Sequence, residues 1–160
     1  MRILVTGANG YIGQRLIRDL LLEPNEVYAM VRHESRLRVD KFKRIHPEAK
    51  LHIIKADLLD ARSLLSIPDD IDVAFYLVHS MSGQTSLDFE KLEALCAQNF
   101  VYRMSTTKLK QVIYLGGIAN SDQLSKHLRS RLGVEKILEK AKFATTILRA
   151  AIIIGSGSAS

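Results

Sequence analysis

Residues 1–13 read Met1-Arg-Ile-Leu-Val-Thr-Gly-Ala-Asn-Gly-Tyr-Ile-Gly13. An apolar run at 3–5 breaks into glycines at 7, 10 and 13, and an amphipathic stretch over 11–22 follows at once. That order predicts a strand, a tight turn and a helix whose first N–H groups point at whatever sits above the turn. Those groups have no partner inside the helix, and the helix dipole adds positive potential, so a nucleotide phosphate is the natural occupant. A glycine at 7 permits turn angles closed to other residues. A glycine at 10 lets phosphate approach the main chain, and one at 13 lets helix and strand pack closely. Asn9, Tyr11 and Ile12 lie between them and complete the candidate cradle. A glycine-rich turn alone is a weak signal and has a ligand-free alternative. Its place after a strand, opening a helix, at the head of a strand–helix alternation makes it informative.

That alternation runs to the end of the chain. The sequence predicts strands over 2–6, 26–32, 51–55, 72–79, 111–115 and 145–154. Helices are predicted over 11–22, 34–45, 61–65, 87–107 and 127–142. The strands are continuous apolar runs such as Val112-Ile-Tyr-Leu115 and Ala151-Ile-Ile-Ile154. Strands covered on both faces need such runs, as in a parallel sheet between helices. The fourth helix shows a one-sided pattern, with Leu92, Leu95, Cys96 and Asn99 on one stripe. Six strands and five helical connections predict an α/β, doubly wound parallel sheet with helices on both faces and strand order 3-2-1-4-5-6.

At 160 residues, the chain is long enough for one domain with a full core, expected over 1–154. Residues 155–160 read as a solvated tail or as the start of a region that continues elsewhere. With 47% hydrophobic and 25% charged residues, the balance is that of a soluble globular protein. No apolar run approaches the roughly 20 residues of a membrane helix, so no membrane insertion is expected. Met1 leads directly into a strand, leaving no room for a signal peptide, and the expected compartment is the cytoplasm. The single cysteine, Cys96, excludes an internal disulfide and offers no zinc cluster, so no metal is expected.

The net charge is +6, and Arg32, His33, Arg36, Arg38, Lys41, Lys43, Arg44 and His46 crowd one segment. Nucleic acid is one explanation and a solvated face is another. Against nucleic acid, the segment holds only Phe42 for stacking and carries no recognition motif. Arg32 has a more particular reading. In doubly wound folds the end of the second strand lies beside the adenosine ribose, where an acid would accept from a free 2′-hydroxyl and select NAD. This chain has Arg32 and His33 there, with Arg36 close behind, and a guanidinium pairs well with a 2′-phosphate. NADP is therefore favoured over NAD. Asp57 and Leu58, after the third strand, are candidates for the adenine, and Asp60 for a nearby helix cap. Val78, His79 and Ser80, after the fourth, should line the groove beneath the nicotinamide ribose.

The segment Thr6-Gly-Ala-Asn-Gly-Tyr-Ile-Gly13 resembles the cofactor signature of extended and atypical short-chain dehydrogenases/reductases, NAD(P)-binding proteins of the Rossmann type. Ala56-Asp57-Leu58, Asn99, Gln111-Val-Ile-Tyr-Leu-Gly-Gly117 and Leu148-Arg149 add to the likeness, which covers the whole chain. The nearest branch is the epimerase-like and NmrA-like one. Tyr76-Leu-Val-His-Ser-Met81 and His127-Leu-Arg-Ser-Arg131 resemble a bacterial group within it.

The resemblance implies a Tyr-x-x-x-Lys pair on the fifth helix and a serine after strand five. At those places this chain has His127 and Arg131, at the same spacing, and Gly116-Gly117. A histidine can exchange protons near neutral pH, and an arginine can hold a ribose without relaying a proton. His127 and Arg131 are thus the catalytic candidates, with an exposed surface role as the alternative for His127. Main-chain N–H groups at the two glycines would replace the serine, and Gly116 joins the cofactor-contacting residues. Asn99 is implied as a structural link between the fourth helix and the sheet. Family members continue past strand six into a region that closes over the substrate, so this chain reads as the cofactor part of a longer protein.

Two functions follow. One is an NADP-dependent oxidoreductase or epimerase-like enzyme acting on a carbonyl or sugar-nucleotide small molecule. The other is a non-catalytic dinucleotide binder, a redox sensor or assembly factor, which the absent serine and tyrosine favour.

Overall fold

The apolar runs at 3–5 and 27–31 become strands buried on both faces. The computed structural model describes residues 1–42, 46–79, 86–119 and 125–155. Strands β1 (Arg2–Thr6), β2 (Glu26–Val31), β3 (Lys50–Lys55), β4 (Val73–Tyr76), β5 (Gln111–Gly117) and β6 (Ala144–Ala150) form one sheet in the order β3-β2-β1-β4-β5-β6. Every pairing is parallel. Helices α1 (Tyr11–Leu20), α2 (Ser86–Met104) and α3 (Lys126–Glu139) make crossovers. The sheet is doubly wound, and the predicted strand order is the observed one.

Alternate residues of the central strands feed two cores. On one face Ile3, Val5, Val27, Ala29 and Val31 pack with Ile17 and Leu21 beneath α1. On the other, Leu4, Tyr28, Ala74, Tyr76, Val112 and Tyr114 pack against Ala97, Phe100 and Met104 of α2 and Val134 and Leu138 of α3. Burying one such side chain is worth about 2 kcal/mol. At the amino ends of the strands, Arg2 pairs with Glu26 at 2.9 Å, His52 lies 2.9 Å from the same carboxylate, and Lys110 pairs with Asp72 at 2.7 Å. These polar pairs close one edge of the sheet and leave the carboxyl ends for a site.

Several boundaries differ from the sequence reading, four of them by more than the fraying of an element's end. No α-helix forms over 34–42; two 3-10 turns, Glu34–Arg36 and Val39–Phe42, stand there, and 43–45 lie outside the described residues. Leu37 between them is extended, at φ −108° and ψ 114°, and is buried with Phe42. Apolar residues five apart do not share a helical face, so turns bury both where a helix would bury one. The short helix predicted over 61–65 is likewise a 3-10 turn, Ser63–Ser66.

β4 stops at Tyr76 rather than at 79, because the Leu77 N–H donates to Thr6 Oγ1 at 3.1 Å instead of to a ladder carbonyl. β6 stops at Ala150, opposite Gly117 where β5 ends, leaving Ile152 and Ile154 exposed. The buried stripe of α2 is also displaced from the predicted one. It runs Glu93, Ala97, Phe100, Met104, while Leu95 faces outward at 42% exposure.

Candidate functional site

The glycine turn takes its shape from contacts that exclude side chains. Gly7 has φ +65°, the left-handed region glycine enters without strain, and its N-terminal neighbour Thr6 donates from Oγ1 to the Phe75 carbonyl at 3.2 Å. A Cβ at 7 would stand 3.0 Å from the Leu77 carbonyl oxygen. The Gly10 N–H returns to Gly7 O at 2.9 Å, closing the turn, and the Gln14 side chain braces it by donating to Asn9 O at 2.8 Å. At 13 a Cβ would run into Gly7 O and come within 2.9 Å of Ala8 Cα, so α1 packs directly on the turn. No side chain caps α1, and its first turn holds no acid. Its leading N–H groups therefore face the space above the sheet with positive potential, a fit for an anionic bridge. Tyr11 is held by Arg15, whose guanidinium lies 3.7 Å from the ring centroid.

Above the carboxyl ends of β1, β2, β3 and β4 lies a cleft of about 250 Å³. It brings together Gly7, Asn9 and Gly10 from the turn, Arg32, His33 and Arg36 after β2, Asp57 and Leu58 after β3, and Val78 and His79 after β4. Tyr11, Ile12, Gly13 and Gly116 do not line it. Gly13 supports the turn from behind. Gly116 and Gly117 are ladder residues of β5, paired with Arg149 and Ala150, so their place in the strand differs from the loop that the resemblance implied. Ser80 lies outside the described residues.

The charged wall of the cleft is its β2 side. Arg32, His33 and Arg36 are exposed and line it, whereas Arg38 turns to Asp40 in an exposed pair at 3.0 Å. Opposite, Asp57 Oδ1 accepts from the Leu59 N–H at 3.0 Å, which shapes the loop and leaves a second carboxylate oxygen for a ligand. Asp60 takes the Arg62 N–H at 3.0 Å in the same way. Asn99 donates to Leu58 O at 2.8 Å, tying α2 to the loop after β3. The structural role that the resemblance implied for Asn99 thus has its hydrogen bond.

His79 is half-buried, and its Nε2 donates to Leu115 O at 3.0 Å. Burial, with Arg131 nearby, pushes its pKa down to about 4 against the pull of that hydrogen bond. The ring is neutral at pH 7 with its proton on Nε2, so Nδ1 is an acceptor. A sign follows for stability. Between about 6.5 and 4 the unfolded chain holds a proton that the folded chain does not, so stability present above pH 6.5 is lost as pH falls. Urea unfolding should show a loss of about 2 kcal/mol from this group between pH 7 and pH 5, and His79→Asn should flatten that slope. An unchanged slope in the variant would refute the buried, neutral state.

Neither catalytic candidate lines the cleft. His127 is exposed, with its ring edge-on to Phe89 at 5.1 Å, and does not line the cleft. Arg131 is half-buried beside the end of β5, where a Cβ at Gly117 would stand 3.3 Å from its Nη1. The absence of a side chain at 117 is what admits it.

Sequence reasoning missed part of the lining: Met30, Ala56, Leu77, Leu92, Glu93 and Cys96. Burial first, then Asp57 and Glu93, raise the Cys96 thiol to about 11, so it is an uncharged wall residue. Glu93 is an acid on the buried stripe of α2, 6% exposed, and accepts from Ser130 Oγ of α3. A charged residue in register with Ala97, Phe100 and Met104 was the readable signal.

A family described as NAD(P)H-binding matches residues 7–154. Pinoresinol reductase 1 of Arabidopsis thaliana is 38% identical over 84 residues, 51% of this chain and 26% of that protein. Among solved structures, the UDP-Glc/GlcNAc 4-epimerase of Campylobacter jejuni superposes with a TM-score of 0.74 at 19% identity, over 92% of this chain and 52% of that one. Yeast methylglyoxal/isovaleraldehyde reductase complexed with NADPH superposes with a TM-score of 0.76 at 15% identity, over 97% and 59%. The chain spans little more than half the length of these structures. No helix among the described residues is long and apolar enough to cross a membrane.

Proposed function

This chain belongs to the NAD(P)H-binding family, and we propose that it holds NADP as the cofactor module of a reductase- or epimerase-like oxidoreductase. The observation that carries the NADP assignment is the wall formed by Arg32, His33 and Arg36, with no acid at the end of β2. In this reading the leading N–H groups of α1 bind the pyrophosphate, and Arg32 and Arg36 bind the 2′-phosphate through charge-assisted hydrogen bonds. Asp57 accepts from the adenine amine beside Leu58. His79 accepts from a ribose hydroxyl at Nδ1 while Leu115 O fixes its tautomer. The bound nicotinamide supplies hydride transfer; the protein supplies position and field. The substrate class is a carbonyl compound or a sugar nucleotide, in keeping with the reductases and the epimerase that the chain resembles.

Titration with NADPH and NADH, followed by nicotinamide fluorescence, tests the reading. Arg32→Ala should weaken NADPH about tenfold and NADH less than twofold, since one charge-assisted bond is worth roughly 1.5 kcal/mol or more. Equal losses for both, or tighter NADH binding in the parent chain, would overturn the NADP assignment.

A second reading, a dinucleotide sensor without catalysis, is favoured by one feature. His127 does not line the cleft, and the position of the expected serine is held by ladder glycines. NADPH oxidation by a panel of aldehydes and sugar nucleotides separates the two: turnover supports the enzyme, and binding without turnover supports the sensor.

A further inference from the structure

Two carboxylates, Asp57 and Glu93, line the cleft. Helix α2 marks the distance between them. Its Asn99 reaches Leu58 O beside Asp57, and Cys96, one turn earlier, lies between the two carboxylates, feeling the charges of Asp57, Glu93 and Arg32. Glu93, a further turn toward the start of α2, faces α3. Its carboxylate takes the hydroxyl of Ser130 from α3, and its charge raises Tyr114 of β5. Tyr114 in turn lies 6.1 Å from the His79 ring, centroid to centroid. Glu93 therefore occupies the β4–β5 end. With the pyrophosphate at β1 and the adenosine over β2 and β3, that is the end left for the nicotinamide.

The nicotinamide ring carries one positive charge when oxidised and none when reduced. A buried carboxylate at its end of the cleft acts differently on the two forms. We propose that Glu93 sets the redox preference of this site, favouring the oxidised dinucleotide over the reduced one. The proposal rests on the reading of the cleft as a dinucleotide site. A full charge within about 10 Å of the ring, at the effective dielectric of a protein interior near 20, is worth a factor of about ten in affinity. Arg131, whose guanidinium lies by Gly117 and acts on His79, opposes this field. It is common to the parent and the variants below, so differences between them report Glu93. A tenfold preference lowers the potential of the bound couple by about 30 mV, making a held reduced nicotinamide a better hydride donor.

The test is the ratio of dissociation constants for NADP+ and NADPH, measured by calorimetry on the parent chain, Glu93→Gln and Ser130→Ala. Glu93→Gln removes the charge and keeps the shape, so NADP+ should weaken about tenfold with NADPH nearly unchanged. Ser130→Ala leaves the charge but removes the hydroxyl that disperses it, and should shift the ratio about threefold toward NADP+. That second variant decides the matter if Glu93→Gln does not fold. Binding of both forms with an unmoved ratio in every folded variant overturns the inference and leaves the dinucleotide site standing. Failure of the parent chain to bind either form overturns the site itself.

Discussion

Gly13→Ala should yield a chain at least a hundredfold weaker for dinucleotide and about 3 kcal/mol less stable. The added Cβ would meet Gly7 O and Ala8 Cα, the latter at 2.9 Å, and both are main-chain atoms of a turn held on its other side by Leu77. Neither can step aside as a flexible side chain would. Overpacking of this kind costs about 1–3 kcal/mol, and here the strain falls on the turn that aims the N–H groups of α1. Gly133→Ala is the internal control. It lies in α3, where a Cβ meets nothing within 4 Å, so alanine should stabilise by about 0.5–1 kcal/mol and leave binding unchanged. Denaturant titration and calorimetry on the two variants read both quantities. A Gly13→Ala chain that binds and unfolds like the parent would show that α1 does not need its close approach to the turn.

The same turn shows why so much of the fold could be read from sequence. Gly7, Gly10 and Gly13 are placed by a local turn between a strand and a helix, and the apolar runs of β1, β2 and β5 alternate with amphipathic stretches as a parallel sheet between helices requires. What could not be read was set by partners. β4 ends at Tyr76 because Thr6, seventy residues earlier, takes the next N–H. The 34–42 segment carries helix-forming residues, yet its two buried side chains, Leu37 and Phe42, are spaced for turns. Residues that local backbone carries to the cleft could be read as its lining: the turn, Arg32, Asp57, His79. Glu93 was not, since its place depends on how α2 is rotated, and the Leu92–Leu95 pattern pointed one residue away. His127 had the right spacing from Arg131, but its ring packs on Phe89 of α2 while Arg131, one turn on, lies by Gly117 of β5.

The rotation and height of α2 rest in turn on Arg103, and Arg103→Ala should cost about 3 kcal/mol, lowering Tm by about 10 °C. Arg103 is a buried cation, 8% exposed, whose guanidinium donates to Leu64 O at 3.1 Å, to Ile67 O, to Thr106 Oγ1 at 3.0 Å and to Asp69 Oδ1 at 2.6 Å. Its neighbours Leu64 and Ile67 belong to the buried core, so water cannot readily replace the lost donors. Lysine, a point charge, cannot span acceptors spread over residues 64 to 69, and Arg103→Lys should recover less than half of the loss. The consequence reaches the cleft. The segment clamped by Arg103 begins just past Asp57 and Leu58, and α2 holds that loop again through Asn99. Loosening the clamp should therefore weaken dinucleotide binding severalfold even at temperatures where the chain stays folded. Thermal melts with and without NADPH measure both effects. If Arg103→Ala lowers Tm while leaving NADPH affinity at its parent value, the clamp stabilises the domain without setting the adenine end of the cleft.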